Sequence, residues 1–288
     1  MPNVTYGPVL LPILDFVPGS AAFFDLDKTI IATSSTLAMG RSFYAAGMIG
    51  RRAIVKGAYA RLVYHLGQAD EQKMDRMRDD LARAVTGWEA QKVRDVIAED
   101  LLGLIDPLIY DEAAALIESH HAAGREVVIV SSSGDEIVGP IATLLGADRV
   151  VASRMVVDDG KYTGEVAFYA FGPYKAEAMR ELAAEQGWDL ADCYAYSDSA
   201  TDVPMLEAVG NPYAVNPDRA LRREAVARDW EILTFRHPVP LRQRLGKLPV
   251  PNRPLAVGIA GAAVIAAAGW RALAHQRRLA EPHQRRAG

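Results

Sequence analysis

The chain has 288 residues, 50% of them hydrophobic and 24% charged, the balance of a globular protein with a real core. A net charge of −4 and a pI near 5.9 argue against nucleic acid as the partner. Cys193 is the single cysteine, which excludes an internal disulfide and fits a reducing compartment.

The first twenty residues carry a short apolar run interrupted by Pro12 and lack a basic leader. They do not read as a signal peptide, so a cytoplasmic folded domain is expected. Residues 20–26, "SAAFFDL", read as a buried strand that runs into two carboxylates, Asp25 and Asp27. Residues 35–105 read as helical throughout, with apolar residues three and four apart. From 125, "REVVIVSSS" is a short apolar strand ending in three serines, and "DEIVGPIATLLGA" is a helix closed near Gly146. "RVVASRMVVDDGKYTGEV" reads as a hairpin with Asp159-Gly160 in its turn. "GPYKAEAMRELAAEQG" is a helix punctuated by Pro173 at its start and Gly187 at its end. "CYAYSDS" and "PYAVN" are short strands, and "PDRALRREAVAR" is the helix after them.

Strands alternating with helices predict an α/β domain with a mostly parallel sheet. The helical block interrupts it after the first strand. The expected organisation is therefore a core from 1–34 and 106–240, a helical cap at 35–105, a proline-bearing linker at 241–254 and an apolar helix at 255–274.

Three predicted strands end in polar clusters: Asp25 with Asp27, Ser131 to Ser133, and Ser197 with Asp198. Open α/β sheets bind ligands beyond the carboxyl ends of their strands, so one crevice can collect all three. Asp202 follows Asp198 by four residues. Carboxylates gathered in this way repel one another unless a cation sits among them, and an all-oxygen set without His or Cys suits Mg²⁺. Strand-end aspartates also serve as simple caps, and it is the combination that favours chemistry. Lys175 falls in the first turn of its helix, where the dipole disfavours a cation. It is either a tolerated surface lysine or one aimed at an anion in the crevice.

"DLDKT", Ser131 after "VVIV", Lys175 and "SDSATD" together resemble the four motifs of the haloacid dehalogenase (HAD) superfamily of phosphohydrolases, in matching order from residue 20 to about 230. The helical insert after the first motif is similar to the C1-capped branch that includes the phosphoserine phosphatases, within subfamily IB. The resemblance implies a HAD-like doubly wound sheet and hydrolysis of a phosphate monoester through an aspartyl-phosphate. Asp25 would be the nucleophile, and Asp27 the acid that protonates the leaving oxygen and then the base that activates water. Mg²⁺ would rest on the Asp25 carboxylate, the Asp27 backbone carbonyl and Asp198. Ser131, Ser132, Lys175 and Thr201 would line the substrate, with Asp202 orienting Lys175 or metal-bound water. Alternatives are a membrane-tethered binding protein of the same fold without useful turnover, and a phosphotransferase.

The chain departs from the phosphoserine phosphatase pattern. Ser34 stands where those enzymes carry a Glu that reads the substrate amine. Ser131-Ser132-Ser133 replaces Ser-Gly-Gly, and Thr201 replaces an Asn. From Lys28 to Ala69 there is no acidic residue, while Arg41, Arg51, Arg52, Lys56 and Arg61 interleave with apolar ones. This stretch is either an ordinary amphipathic cap or a basic, apolar mouth for a lipid-related phosphate. Residues 255–270 form 16 uncharged residues, about 24 Å as a helix, flanked by arginines. The expectation is a transmembrane or interfacial helix at 255–274 that attaches the catalytic domain to the inner face of the membrane, against a packing or dimerisation helix.

Overall fold

The computed structural model describes residues 19–50, 79–80 and 82–240. Its strands are β1 (Ala21–Phe24), β2 (Glu126–Gly134), β3 (Arg149–Asp158), β4 (Lys161–Phe168), β5 (Tyr194–Ser197), β6 (Asn211–Val215) and β7 (Glu231–Leu233). The helices are α1 (Ser35–Ala45), α2 (Ala90–Ile105), α3 (Asp111–Ala122), α4 (Asp135–Leu145), α5 (Pro173–Gln186), α6 (Val203–Glu207) and α7 (Arg219–Ala227). The strands form one sheet in the order β4-β3-β2-β1-β5-β6-β7. Every pairing is parallel except the β3–β4 hairpin.

β1 lies at the centre, and its four residues are all buried. Its alternating side chains serve two cores. Ala22 and Phe24 join Val127 and Ile129 of β2 on one face, with Leu116 of α3 and Ile141 of α4. Ala21 and Phe23 join Val128 and Val130 on the other, with Met179 of α5, Leu206 of α6 and Leu221 of α7. A strand covered on both faces needs a continuous apolar run rather than alternation, which is why "AAFF" and "VVIV" read as they do.

The local punctuation follows backbone geometry. Gly146 and Gly187 close α4 and α5 in the left-handed conformation, at φ 71° and 72°. Asp159 and Gly160 both take positive φ between β3 and β4, the requirement of a two-residue hairpin turn. The hairpin tip meets the start of α2: Gly160 O accepts Ala90 N–H at 2.9 Å, and Tyr162 and Trp88 are joined at 3.0 Å.

Some expectations change. The stretch 35–105 is not helical throughout. The chain leaves α1 after Ala45 through Gly47 at φ 71° and turns again at Gly87 at φ 81°, positions where glycine admits a left-handed bend. The remainder of that block, 51–78, lies outside the described residues, as do Arg51, Arg52, Lys56 and Arg61 of the basic stretch reaching Ala69. Helix α3 and strand β7 were not anticipated. The expected transmembrane helix is corrected: among the described residues no helix is long and apolar enough to cross a membrane. The linker beyond Pro240 and the segment 255–274 lie outside the described residues.

Candidate active site

Strand register brings the polar clusters together. Phe24 of β1 aligns with Ile129 of β2 and Tyr196 of β5. Asp25 is thus one residue past that row, and Ser131 and Asp198 are two past it, on neighbouring strands. Asp25 N–H continues the ladder by donating to Tyr196 O at 2.9 Å. The β6–α7 loop closes from the side, where Asp218 N–H donates to Asp198 O at 2.8 Å.

Lys175 reaches this point from α5. Gly172 precedes the helix at φ 55°, ψ −125°, and Pro173 opens it. Lys175 is 2% exposed, and its Nζ donates to Asp25 Oδ1 at 2.7 Å and to Asp202 Oδ2 at 2.8 Å. Ser197 Oγ donates to the same Asp202 oxygen at 2.7 Å. A buried ammonium at a helix N-terminus persists only where anions over-compensate the dipole and the desolvation. Burial alone would push the Lys175 ammonium down, but Asp202 and Asp25 outweigh it and hold it above the ordinary lysine range.

The other carboxylates are under-compensated. Burial pushes Asp25 up to about 7 despite Lys175, with Asp202 and Asp27 adding repulsion. Burial and the neighbouring Asp25 push Asp198 up to about 8, with Lys28 in opposition. Lys28, in the left-handed conformation at φ 64°, places Nζ 3.9 Å from Asp198 Oδ2. Four carboxylates (Asp25, Asp27, Asp198 and Asp202) therefore share two ammonium groups, Lys28 and Lys175. A divalent cation would offset that imbalance, and the donors are all hard oxygens, which suits Mg²⁺. Asp202 is already engaged by Lys175 and Ser197, so the carboxylates left for a metal are Asp25 and Asp198. No cluster of three or more His, Cys, Asp or Glu suited to a metal occurs among the described residues. A site built from two carboxylates and a backbone carbonyl does not require one.

Asp27 is placed differently. Its Oδ1 accepts Ser35 N–H at 2.8 Å and its Oδ2 accepts the Ser133 hydroxyl at 3.3 Å. Ser131, 1% exposed, accepts Ser133 N–H at 3.2 Å. Two expected substrate residues make other contacts. Ser132 offers its carbonyl to Ser153 Oγ at 2.8 Å, and Thr201 Oγ1 sits 3.0 Å from Ser199 Oγ in its own loop. Ser35 and Lys28 were missed as site residues, and Ser133 and Ser197 were placed in the crevice but given no role. No residue type singles out Ser133 among the three serines, because the register of β2 shifts between Ser131 and Gly134.

Residues 22–207, which carry every one of these motifs, match the family model of the haloacid dehalogenase-like hydrolases. The chain belongs to this family. It is an enzyme of this hydrolase family, and it is similar to proteins named as phosphatases. It is 61% identical over 264 residues to the "Inhibition of morphological differentiation protein" of Streptomyces azureus, covering 91% of this chain and 95% of that one. It is 33% identical over 256 residues to the phosphoserine phosphatase SerB1 of Mycobacterium tuberculosis, covering 88% and 81%. A solved phosphoserine phosphatase, held as a phospho-aspartyl intermediate analogue, shares the fold with a TM-score of 0.54. Its identity is 23%, over 80% of this chain and 99% of that one.

Proposed function

We propose that this hydrolase cleaves a small phosphate monoester through an aspartyl-phosphate on Asp25, and that Asp25, Asp27, Lys175, Ser131, Asp198 and Asp202 carry the reaction. The observation that supports it most is the buried Lys175 bridge between Asp25 and Asp202, at 2.7 and 2.8 Å. It holds one Asp25 oxygen, Oδ1, and leaves the other out of that ion pair. In this reading Asp25 attacks phosphorus as the ester P–O bond breaks, and Asp27 gives its proton to the departing oxygen. Asp27 then takes a proton from water, which attacks the phosphorus and releases inorganic phosphate and free Asp25. Ser131 and Lys175 bind the phosphoryl oxygens, and Lys175 offsets charge that grows in the transition state. Asp202, tied by Ser197, keeps Lys175 in place. Asp25, the Asp27 carbonyl and Asp198 would hold Mg²⁺. When bound, the ion supplies charge neutralisation at the phosphoryl group. We take residues 35–105 as the cap over this crevice and 1–34 with 106–240 as its core.

The substrate is read as a small phosphorylated metabolite. Phosphoserine is the substrate named for a relative and for a solved structure of this fold. Against it as the preferred ester stands Ser34, the residue before α1, which has no charge to pair with an ammonium group. One phosphate-release experiment tests both points, over phosphoamino acids, sugar phosphates and a generic aryl phosphate, with Mg²⁺ and with chelator. The expected result is Mg²⁺-dependent release that Asp25→Asn abolishes, with L-phosphoserine not leading the panel. Near wild-type turnover by Asp25→Asn would overturn the mechanism. A tenfold lead for L-phosphoserine would overturn the specificity. An alcohol acceptor that diverts the phosphoryl group from water would favour a phosphotransferase instead.

A further inference from the structure

Asp27 is gripped from two sides. The backbone N–H of Ser35, first residue of α1, holds Oδ1 at 2.8 Å. The Ser133 hydroxyl, from the end of β2, holds Oδ2 at 3.3 Å. Ser133 Oγ also lies 2.9 Å from Ser35 Oγ and 3.3 Å from Thr36 Oγ1. A hydroxyl has one proton to give and two lone pairs, and an ionised carboxylate only accepts. With Asp27 ionised, its state before it takes a proton from water, the directions are determined. Ser133 donates to Asp27, and the hydroxyls of Ser35 and Thr36 donate to Ser133. Every hydrogen-bonding capacity of Ser133 is used, in a setting where Ser133 and Ser35 are both buried and water competes little.

The backbone is bent to achieve this. Between Ser131 and Gly134, β2 advances three residues while its partner β3 advances one, from Ala152 to Ser153. Ser133 N–H folds back onto Ser131 Oγ at 3.2 Å. An irregularity of this kind re-aims a side chain, here toward the first turn of α1. Helix capping alone does not explain the contact. The Ser35 N–H is already satisfied by Oδ1, so the bond from Ser133 to Oδ2 adds nothing to the helix end. What it adds is a second fixed point on the carboxyl group, and therefore a fixed plane.

We infer that Ser133 is a positioning residue. With the Ser35 N–H, it sets the plane of the Asp27 carboxyl for proton transfer to the leaving oxygen, and it ties that plane to the start of α1. This rests on the reading of Asp27 as the acid and base. The test compares kcat/KM on 4-nitrophenyl phosphate, whose leaving group departs without a proton, and on a simple alkyl phosphate, whose leaving group needs one. Asp27→Asn is run alongside. Ser133→Ala is expected to lose roughly tenfold more on the alkyl ester than on the aryl ester, a part of the full effect of a general acid. Ser133→Thr, which restores the hydroxyl, should recover most of the difference. Equal losses on the two esters, or no loss, would reject the role of Ser133 provided Asp27→Asn is skewed against the alkyl ester. An unskewed Asp27→Asn would reject the acid–base reading and this inference with it.

Discussion

Lys175 sits where two demands on one side chain meet. It neutralises Asp25 and Asp202 while itself buried, and its Nζ lies 2.7 Å from Oδ1 of Asp25, the proposed nucleophile. Truncating it removes both services. Lys175→Ala is expected to lower kcat by about a hundredfold, on the order of 3 kcal/mol of transition-state stabilisation. It should also weaken folding at neutral pH by roughly 3–5 kcal/mol, because two buried carboxylates then face each other unpaired. Steady-state kinetics and thermal unfolding check the two halves, and unchanged hydrolysis would remove Lys175 from the reaction. The position of Lys175 was legible because Pro173 and Gly187 delimit its helix and the dipole makes a first-turn lysine conspicuous. Ser133 was not. Three consecutive serines look alike in sequence, and which one turns toward Asp27 depends on an irregularity in β2 that no residue type announces.

At the scale of elements, Gly172 is the hinge on which Lys175 depends. Its φ of 55° with ψ of −125° lies where a Cβ is not tolerated, and Pro173 then starts α5 without needing an N–H partner. Gly172→Ala is expected to cost about 1–3 kcal/mol in strain and to reduce activity by displacing Lys175. Denaturant unfolding and phosphate release would show both, and a fully stable, fully active variant would count against the hinge. The hairpin and the punctuated helices were readable because their turns need positive φ and only a few residues supply it cheaply. Helix α3 carried a usable signal, with Asp111 and Glu112 in its first turn and His120 and His121 in its last, matching the helix dipole. Strand β7 has only three residues, too few for a period to show. The expectation of uninterrupted helix after residue 35 failed at Gly47 and Gly87 because apolar spacing alone does not see where a left-handed residue ends a helix.

Across the whole molecule, acid stability should be governed in part by a residue with no part in the proposed chemistry. His120 of α3 is fully buried against Phe24 and Tyr196, with Nε2 2.9 Å from the Tyr196 hydroxyl. Burial pushes its pKa down to about 3, with Arg125 adding repulsion. The folded protein therefore keeps His120 neutral while the unfolded chain protonates it near 6.5. Its contribution is fully present above about pH 6.5 and is lost as pH falls toward 3, at roughly 1.4 kcal/mol per pH unit. Unfolding free energies at pH 7, 6 and 5 should show this slope, and His120→Gln should flatten it; an unchanged slope would exclude His120 as the cause. The sheet order has one more consequence, in the time domain. β1 is made first, yet its partners β2 and β5 begin 105 and 172 residues later, by the pairings Ala21 with Glu126 and Ala22 with Tyr194. At about 5–20 residues per second of synthesis, Ala21–Phe24 emerges roughly 10–30 s before its second neighbour exists. Until β2 is made, this wholly apolar strand has two bare edges, and one edge stays bare until β5 follows. The nascent chain is thus a natural client for a holding chaperone, and Asp25, the proposed nucleophile, is synthesised long before the β5 strand that completes its surroundings.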